Sequence, residues 1–352
     1  MAKLKSLTIE VREWSEVAAA RRTAARLAQD IGFSKKEIAE ISIAVSELAE
    51  NFIKHKAVCG KIICSHVEEG HMSGIQIVSE DRGPGIADVG RALRDGYSGG
   101  NTLGIGLGAV KRLMDEFDIS SKAKRSTAAS YGNDKEGIGT VVAARKWLAA
   151  QQSGRQAAKP ATRFGYMCRL KKGEKHNGDG LFFRHFNGKD LIAVINGIGH
   201  GLYAEEAAGK ACQCLSENFG KPLEVIITEM HDSLRKTRGA AVSIALIDKA
   251  AGRLDYVGIG NVLTRVFEAA PLSPANYNGI VGASLQKFKV FTYPWSKGNV
   301  LVMTSDGISE KYDLDRYPGL IGKDPVIIAD IILRDYGRDH DDATVVVGKA
   351  MI

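Results

Sequence analysis

EDRGPGIADVGRALRDGYSGGNTLGIGLGAVKRLMDEF, residues 80–117, decides how the rest of the chain is read, because it joins a strand-end acid, a glycine-rich stretch and a helix start. Asp81 follows the apolar run 75–78 and precedes Gly83-Pro84-Gly85. Its carboxylate is therefore expected at the end of a strand, where it can accept a hydrogen bond from an adenine amino group. Gly99, Gly100, Gly104, Gly106 and Gly108 crowd the entry to a helix of pattern GAVKRLMDEF. Glycines there let backbone N–H groups approach phosphates, and a helix N-terminus favours their negative charge. The stretch reads as a nucleotide pocket.

Upstream of it, residues 4–11 alternate like a strand, and residues 15–31 carry Val17, Ala20, Ala24, Leu27 and Ile31 at helical spacing. A second helix follows Ser34 with the apolar face Ile38, Ile41, Val45, Leu48 and Phe52. That register sets Glu47 and Asn51 one turn apart on one side, with His55 a turn further. Strands are expected at 61–67, 74–79, 118–123 and 139–144, so helices come first and an antiparallel sheet follows, an α/β sandwich. An amide such as that of Asn51 can ligate magnesium beside phosphates, and Glu47 can accept the proton of an attacking hydroxyl. Lys54 and His55 are candidates to neutralise phosphate. On its own a Glu/Asn pair on a helix is more often a solvated edge; the pocket downstream is what gives it weight.

SELAENFIKH (46–55), EDRGPGIAD (80–88) and GYSGGNTLGIGLGAVKRLMDEFDI (96–119) together resemble the N box, adenine box and lid of the histidine-kinase-like ATPase superfamily, within its anti-sigma-factor type serine kinases of the RsbT-like group. The resemblance implies a Bergerat-type fold for residues 1–147, with Glu47 as catalytic base, Asn51 as ligand of the magnesium that accompanies ATP, and Asp81 as adenine contact. His55, Gly83, Gly85, Gly99, Gly100, Gly104, Gly106 and Gly108 complete the expected ATP site. The phosphoacceptor is expected to be a serine or threonine on another protein.

Residues 148–162 are rich in Ala and Gln, lack apolar periodicity and read as a linker. Beyond them, short strands alternate with glycine turns at 166–170, 181–186, 190–195, 240–248, 253–259, 264–267 and 299–304, and helices are expected at 203–219, 222–236 and 325–336. Two packed sheets flanked by helices follow from that pattern. Asp179 in NGDG, Asp306 in TSDGISE and Asp341 with Asp342 in HDDATVVV fall at strand ends or turns. Each Asp-Gly alone is most simply a turn. Together they form the hard oxygen donor set that Mg²⁺ or Mn²⁺ prefers, and two such ions can activate a water against a phosphoester.

GDG (178–180), INGIGHGLYA (195–204), TSDGISE (304–310) and DDAT (341–344) resemble the PPM class of metal-dependent protein phosphatases, in its SpoIIE and RsbX branch, over most of residues 163–352. The resemblance implies an α-β-β-α sandwich, so the whole chain is of class α+β in two domains. It also implies that Asp179, Asp306 and Asp341 ligate the metals and that Gly197 offers its carbonyl. Where the family has the Asp that bridges both metals, this chain has Asn196. A neutral amide bridges two cations poorly, which implies an impaired phosphatase. An engineered inactivation, a natural pseudophosphatase and a site with altered metal occupancy all remain open here.

The two resemblances imply a bifunctional bacterial signalling protein whose kinase and phosphatase halves act on an STAS-domain anti-anti-sigma type partner, in partner switching and stress response. A sigma factor, a stressosome-like assembly or a homodimer are further partners to expect. An ATP-gated binding module and a nucleotide-regulated phosphatase without kinase activity are the alternatives. The 352 residues, 44% hydrophobic and 25% charged, suit two soluble domains. The net charge of +7 comes without a dense basic run carrying interleaved aromatics, so nucleic acid is not expected. Five cysteines without metal spacing, and no signal-like or membrane-length apolar run, lead to a cytoplasmic location with reduced thiols.

Overall fold

The computed structural model describes residues 6–55, 57, 60–69, 72–93, 106–123, 139–148, 162–267 and 271–351. It divides into two compact α/β units, Met1–Lys159 with Leu314–Ile327, and Pro160–Asp313 with Ile328–Ile352.

In the first unit β1 (Ser6–Val11) leads into α1 (Trp14–Ile31) and α2 (Lys35–Lys54), followed by β2 (Gly60–Glu69), β3 (Met72–Asp81), the single turn α3 (Val89–Ala92), α4 (Gly106–Leu113), β4 (Glu116–Lys122) and β5 (Gly139–Trp147). The strands form one antiparallel sheet in the order β1-β2-β3-β5-β4. Ala20, Ala24 and Ala28 keep α1 slim on its inner face, and with Ile41, Val45, Leu48 and Phe52 of α2 they pack on Ile62, Cys64, Ile75 and Ile77 of the sheet. Gly32, at φ +105°, ends α1, and Ser34 caps α2 by accepting from the Glu37 N–H, while the Glu37 carboxylate accepts from the Ser34 N–H. This reciprocal box satisfies two helix-end donors and fixes where α2 begins, and with it the height of Glu47 and Asn51.

The helix expected over GAVKRLMDEF stops earlier. α4 ends at Leu113, and Glu116 and Phe117 open β4, because the Asp115 N–H turns to the Arg145 carbonyl at 2.9 Å and Glu116 ion-pairs with Arg145 at 3.2 Å. Arg145 is 2% exposed and also sends a two-pronged pair of hydrogen bonds to Asp324, at 2.5 and 2.8 Å. A buried guanidinium requires carboxylate partners. Asp324 lies in Leu314–Ile327, a segment from late in the sequence that groups with the first unit.

The second unit runs β6 (Thr162–Arg169), β7 (Asp179–Phe186), β8 (Lys189–Gly197), α5 (Leu202–Asn218), α6 (Leu223–Leu234), β9 (Ala240–Asp248), β10 (Arg253–Ile259), β11 (Leu263–Phe267), the small hairpin β12 (Gly279–Ile280) and β13 (Ser284–Leu285), β14 (Phe291–Pro294), β15 (Val300–Thr304), α7 (Pro325–Tyr336) from Ile328 onward and β16 (Ala343–Ala350). Two sheets result, β14-β10-β9-β8-β7 and β11-β15-β16-β6. Strand alternation partitions the core. Ile192 and Val194 of β8 face Leu301, Met303 and Val346 of the other sheet, while Leu191, Ala193 and Ile195 face Ala208, Ala211 and Leu215 of α5 and Ile226 and Ile227 of α6. β16 and β14 go beyond the strands expected from the sequence. ATVVVGKA is buried along almost its whole length, so it shows no alternation to read.

Cys64, Cys168, Cys212 and Cys214 are free thiols, and Cys59 lies outside the described residues. Among the described residues no helix is long and apolar enough to cross a membrane.

Candidate active sites

The first site is built on α2, the end of β3 and the start of α4. Glu47 and Asn51 stand one turn apart, and the first residue of α4 lies directly against them: a Cβ at Gly106 would sit 3.4 Å from Glu47 Oε2 and 3.6 Å from Asn51 Oδ1. A Cβ there would make ordinary van der Waals contact with both polar side chains, so the head of α4 is set directly beside them. Asp81 is the last residue of β3, and its Oδ1 accepts the Gly83 N–H at 2.6 Å. Two glycines hold this corner by close approach. A Cβ on Gly139, at φ +127°, would fall 2.1 Å from the Asp81 carbonyl oxygen, and one on Gly85, at φ +72°, would fall 2.2 Å from that of Lys122. The Ser121 hydroxyl ties the corner together, accepting the Ile86 N–H and sharing a proton with Thr140, both at 2.8 Å.

His55 is the exposed C-cap of α2. Lys54, a candidate phosphate neutraliser from its spacing, is engaged by Glu50 at 2.8 Å. Gly108 is buried inside α4. Gly99, Gly100 and Gly104 lie outside the described residues.

The second site gathers the acids of the second unit around the β7/β8 pair. Asp179 opens β7 directly across from Asn196 of β8, and Asp306 follows β15. Asn196 Nδ2 donates to Asp306 Oδ1 at 2.6 Å, and Asn261 Nδ2 donates to Asp306 Oδ2 at 2.8 Å, so one carboxylate is clamped by two amides. Ser305 Oγ donates to Asp179 Oδ2 at 2.7 Å. Burial pushes the Asp179 carboxyl up to about 7, helped by the negative charges of Asp342 and Asp306. Asp306 is raised by burial and then by Asp341. Gly197 is required where it stands, since a Cβ there would lie 2.2 Å from the Ala204 carbonyl oxygen.

The two acids of DDAT have different tasks. Asp342 is buried and accepts the Lys171 and Gly178 N–H groups, both at 2.8 Å, which staples the turn before Asp179 to the start of β16. Among the described residues Asp341 accepts only the next residue's N–H, at 3.0 Å through Oδ1. Asn261 and Ser305 escaped the sequence reading as contributors to the centre. Asp342 was read together with Asp341, whereas Asn261 and Ser305 reach the acids only through folding and carry no spacing signal.

Carboxyls that raise one another's pKa without a cation between them fit a divalent ion, which would neutralise them with oxygen donors. Asp179, Asp306 and Asp341 would hold it. Among the described residues no three acid, histidine or cysteine side chains already stand in a ligating arrangement, and at the family's bridging position Asn196 turns an N–H toward Asp306.

Residues 12–130 match the histidine kinase-like ATPase domain family, and residues 187–350 match the stage II sporulation protein E family. The chain is 39% identical over 136 residues to the serine/threonine-protein kinase RsbT of Bacillus subtilis (strain 168), a match covering 39% of this chain and 91% of RsbT. The chain belongs to the RsbT family. Its RsbT-like part is joined to a second one: the chain is also 28% identical over 142 residues to the phosphoserine phosphatase RsbX of the same organism, covering 40% of this chain and 71% of RsbX. A solved structure described as "The bacterial stressosome: a modular system that has been adapted to control secondary messenger signaling" is 27% identical, covering 53% of this chain and 99% of that chain with a TM-score of 0.50. This RsbT-family chain therefore fuses a kinase-like ATPase domain to a PPM phosphatase domain, an architecture of partner-switching regulators.

Proposed function

We propose that the chain is a bifunctional switch: an ATP-dependent serine/threonine kinase in its first part and a metal-dependent phosphoserine/phosphothreonine phosphatase in its second, both acting on one STAS-domain anti-anti-sigma type protein. The observation that carries the reading is the placement of Gly106, at the head of α4, against Glu47 and Asn51. A helix N-terminus set against a carboxylate and an amide is an arrangement suited to a phosphate with its cation.

In this reading Glu47 takes the proton from the acceptor hydroxyl and Asn51 presents its amide oxygen to the magnesium that accompanies ATP. Asp81 fixes the adenine end. In the second part the metal, when bound, supplies charge neutralisation and an activated water. Asp179, Asp306 and Asp341 would hold it, with Ser305 orienting Asp179 and Asn261 orienting Asp306. Asn196 brings no charge and spends its N–H on Asp306, so metal binding and phosphate release are weak in the chain as it stands. The balance of the switch then leans toward the phosphorylated partner.

The test is label transfer from ATP to a candidate STAS protein in the presence of Mg²⁺. Native chain transfers label, and Glu47→Ala lowers the rate at least about a hundredfold, the range of general-base contributions. Transfer that survives the change refutes the assigned role, and tight capture of the partner with no transfer by the native chain points to an ATP-gated binding module instead.

A further inference from the structure

Beside the acid centre of the second unit stands an arginine that none of the sequence motifs included. Arg238 lies in the turn between α6 and β9, and that turn is rigidly built. The Thr237 hydroxyl donates to the Leu234 carbonyl at 2.7 Å and accepts the Gly239 N–H at 3.0 Å, and Gly239 takes φ +78°. The Gly239 carbonyl in turn accepts the Ile198 N–H at 3.0 Å, which ties the turn to the loop that follows Asn196 and Gly197.

The side chain has contacts of its own. Its guanidinium carbon lies 4.9 Å from the centre of the Tyr203 ring, and Nη1 would be 2.8 Å from a Cβ at Gly199, so the head group leans on the glycine loop. That loop borders the acids, since the Gly199 carbonyl would be 3.6 Å from a Cβ on Gly178, the residue before Asp179. The imidazoles nearby already have carboxylate partners, His200 with Glu174 and His176 with Glu205, each at 2.6 Å. Among the described residues Arg238 is in no ion pair, and it is exposed. Arg338, the other arginine at this centre, spends Nη1 on the Asp306 carbonyl at 3.0 Å and so holds the acid loop.

A guanidinium held over an aromatic ring keeps its N–H edge free, and that planar fork matches two oxygens of a phosphate. We propose that Arg238, with Tyr203 as its positioning residue, binds the phosphoryl group of the phosphoprotein on which the second unit acts. The proposal rests on the phosphatase reading above and adds the residue that recognises its substrate. Leu202 and Tyr203, 57% and 60% exposed at the start of α5, present apolar surface beside the bound phosphoserine for the flanking peptide. Metal ligands alone would accept any phosphoester; the arginine adds affinity for the phosphoryl group before metal is engaged.

The experiment uses the full chain with its ATP site filled by a non-hydrolysable analogue. Binding of a fluorescent phosphoseryl peptide and of its unphosphorylated twin is followed by polarisation, and KM and kcat for the phosphopeptide are measured in an Asn196→Asp background. Arg238→Gln is expected to weaken phosphopeptide binding about ten- to hundredfold, the range of a lost charged hydrogen-bond pair. It leaves the unphosphorylated twin unaffected and raises KM more than it lowers kcat. Arg238→Lys recovers part of the loss, Tyr203→Phe binds as the native chain does, Tyr203→Ala loses several-fold, and Lys172→Gln, the same charge change at a nearby exposed residue, changes nothing. Equal losses in Arg238→Gln and Lys172→Gln, or no phosphate-dependent binding by the native chain, overturn the proposal. Phosphopeptide binding that depends on Arg238 without any phosphate release in the Asn196→Asp background sinks the phosphatase reading and leaves the recognition site standing.

Discussion

Asn196→Asp is the perturbation whose consequences can be worked furthest. It exchanges an NH₂ for an oxygen of nearly the same size, so neither cavity nor clash is created. What changes is charge: the donor 2.6 Å from Asp306 Oδ1 becomes a second carboxylate oxygen facing the first. Two unit charges at that separation repel by about 6 kcal/mol at an effective dielectric of 20. Uptake of one shared proton caps the cost at about 4 kcal/mol at pH 7, the free energy of protonating a carboxyl of ordinary pKa about 3.9 there. A penalty of up to about 4 kcal/mol lowers the melting temperature of the second unit by up to about 8–16 °C without metal. A divalent cation removes the repulsion and gains a bridging ligand, so Mn²⁺ should raise the melting temperature of the variant well above its effect on the native chain, and phosphate release should appear or increase. The assay is a pair of thermal melts with and without Mn²⁺, alongside phosphate release from a phosphoseryl peptide. A variant that melts like the native chain without metal and gains nothing from Mn²⁺ would refute the view that Asn196 lies at the bridging position of a metal centre.

Three further outcomes follow from particular contacts. Gly106→Val fills the space 3.4 Å from Glu47 Oε2, so binding of a fluorescent ATP analogue should fall at least about tenfold while far-ultraviolet circular dichroism stays native. Gly139→Ala forces a Cβ against the Asp81 carbonyl at φ +127°, and a loss of about 2 kcal/mol or more is expected in urea unfolding of the first unit. Asp179 has a folded pKa raised to about 7, so its contribution to metal-free stability is full below the ordinary carboxylate pKa and is lost as pH rises toward 7. Stabilisation by Mn²⁺, measured as a melting-temperature shift, should therefore be larger at pH 8 than at pH 5, and a shift independent of pH would contradict that sign.

What the sequence disclosed and what it kept back follow a physical division. The row Glu47, Asn51, His55 was readable because α2 is amphipathic and its period places the polar side without any knowledge of partners. Asp81, Asp179 and Asp306 were readable because each sits where an apolar strand meets a glycine turn. β16 was hidden because it is buried on both faces, and the end of α4 was hidden because it depends on Arg145, whose carbonyl and guanidinium arrive from a strand about 30 residues away. Asn261 and Arg238 belong to the same hidden class. An isolated amide or arginine in a turn carries no signal until the fold sets it beside Asp306 or Gly199. The grouping of Leu314–Ile327 with the first unit is of this kind too, since its anchor, Asp324 on Arg145, joins residues 179 apart in sequence.

The central claim is that one chain writes and erases the same mark. It is tested most directly by letting the native chain phosphorylate its STAS partner from ATP, mapping the modified residue by mass spectrometry, and then adding the Asn196→Asp chain with Mn²⁺ and no nucleotide. The account predicts a single serine or threonine that gains phosphate in the first step and loses it in the second. Phosphate that stays on that residue while a different phosphosite is cleared would contradict it.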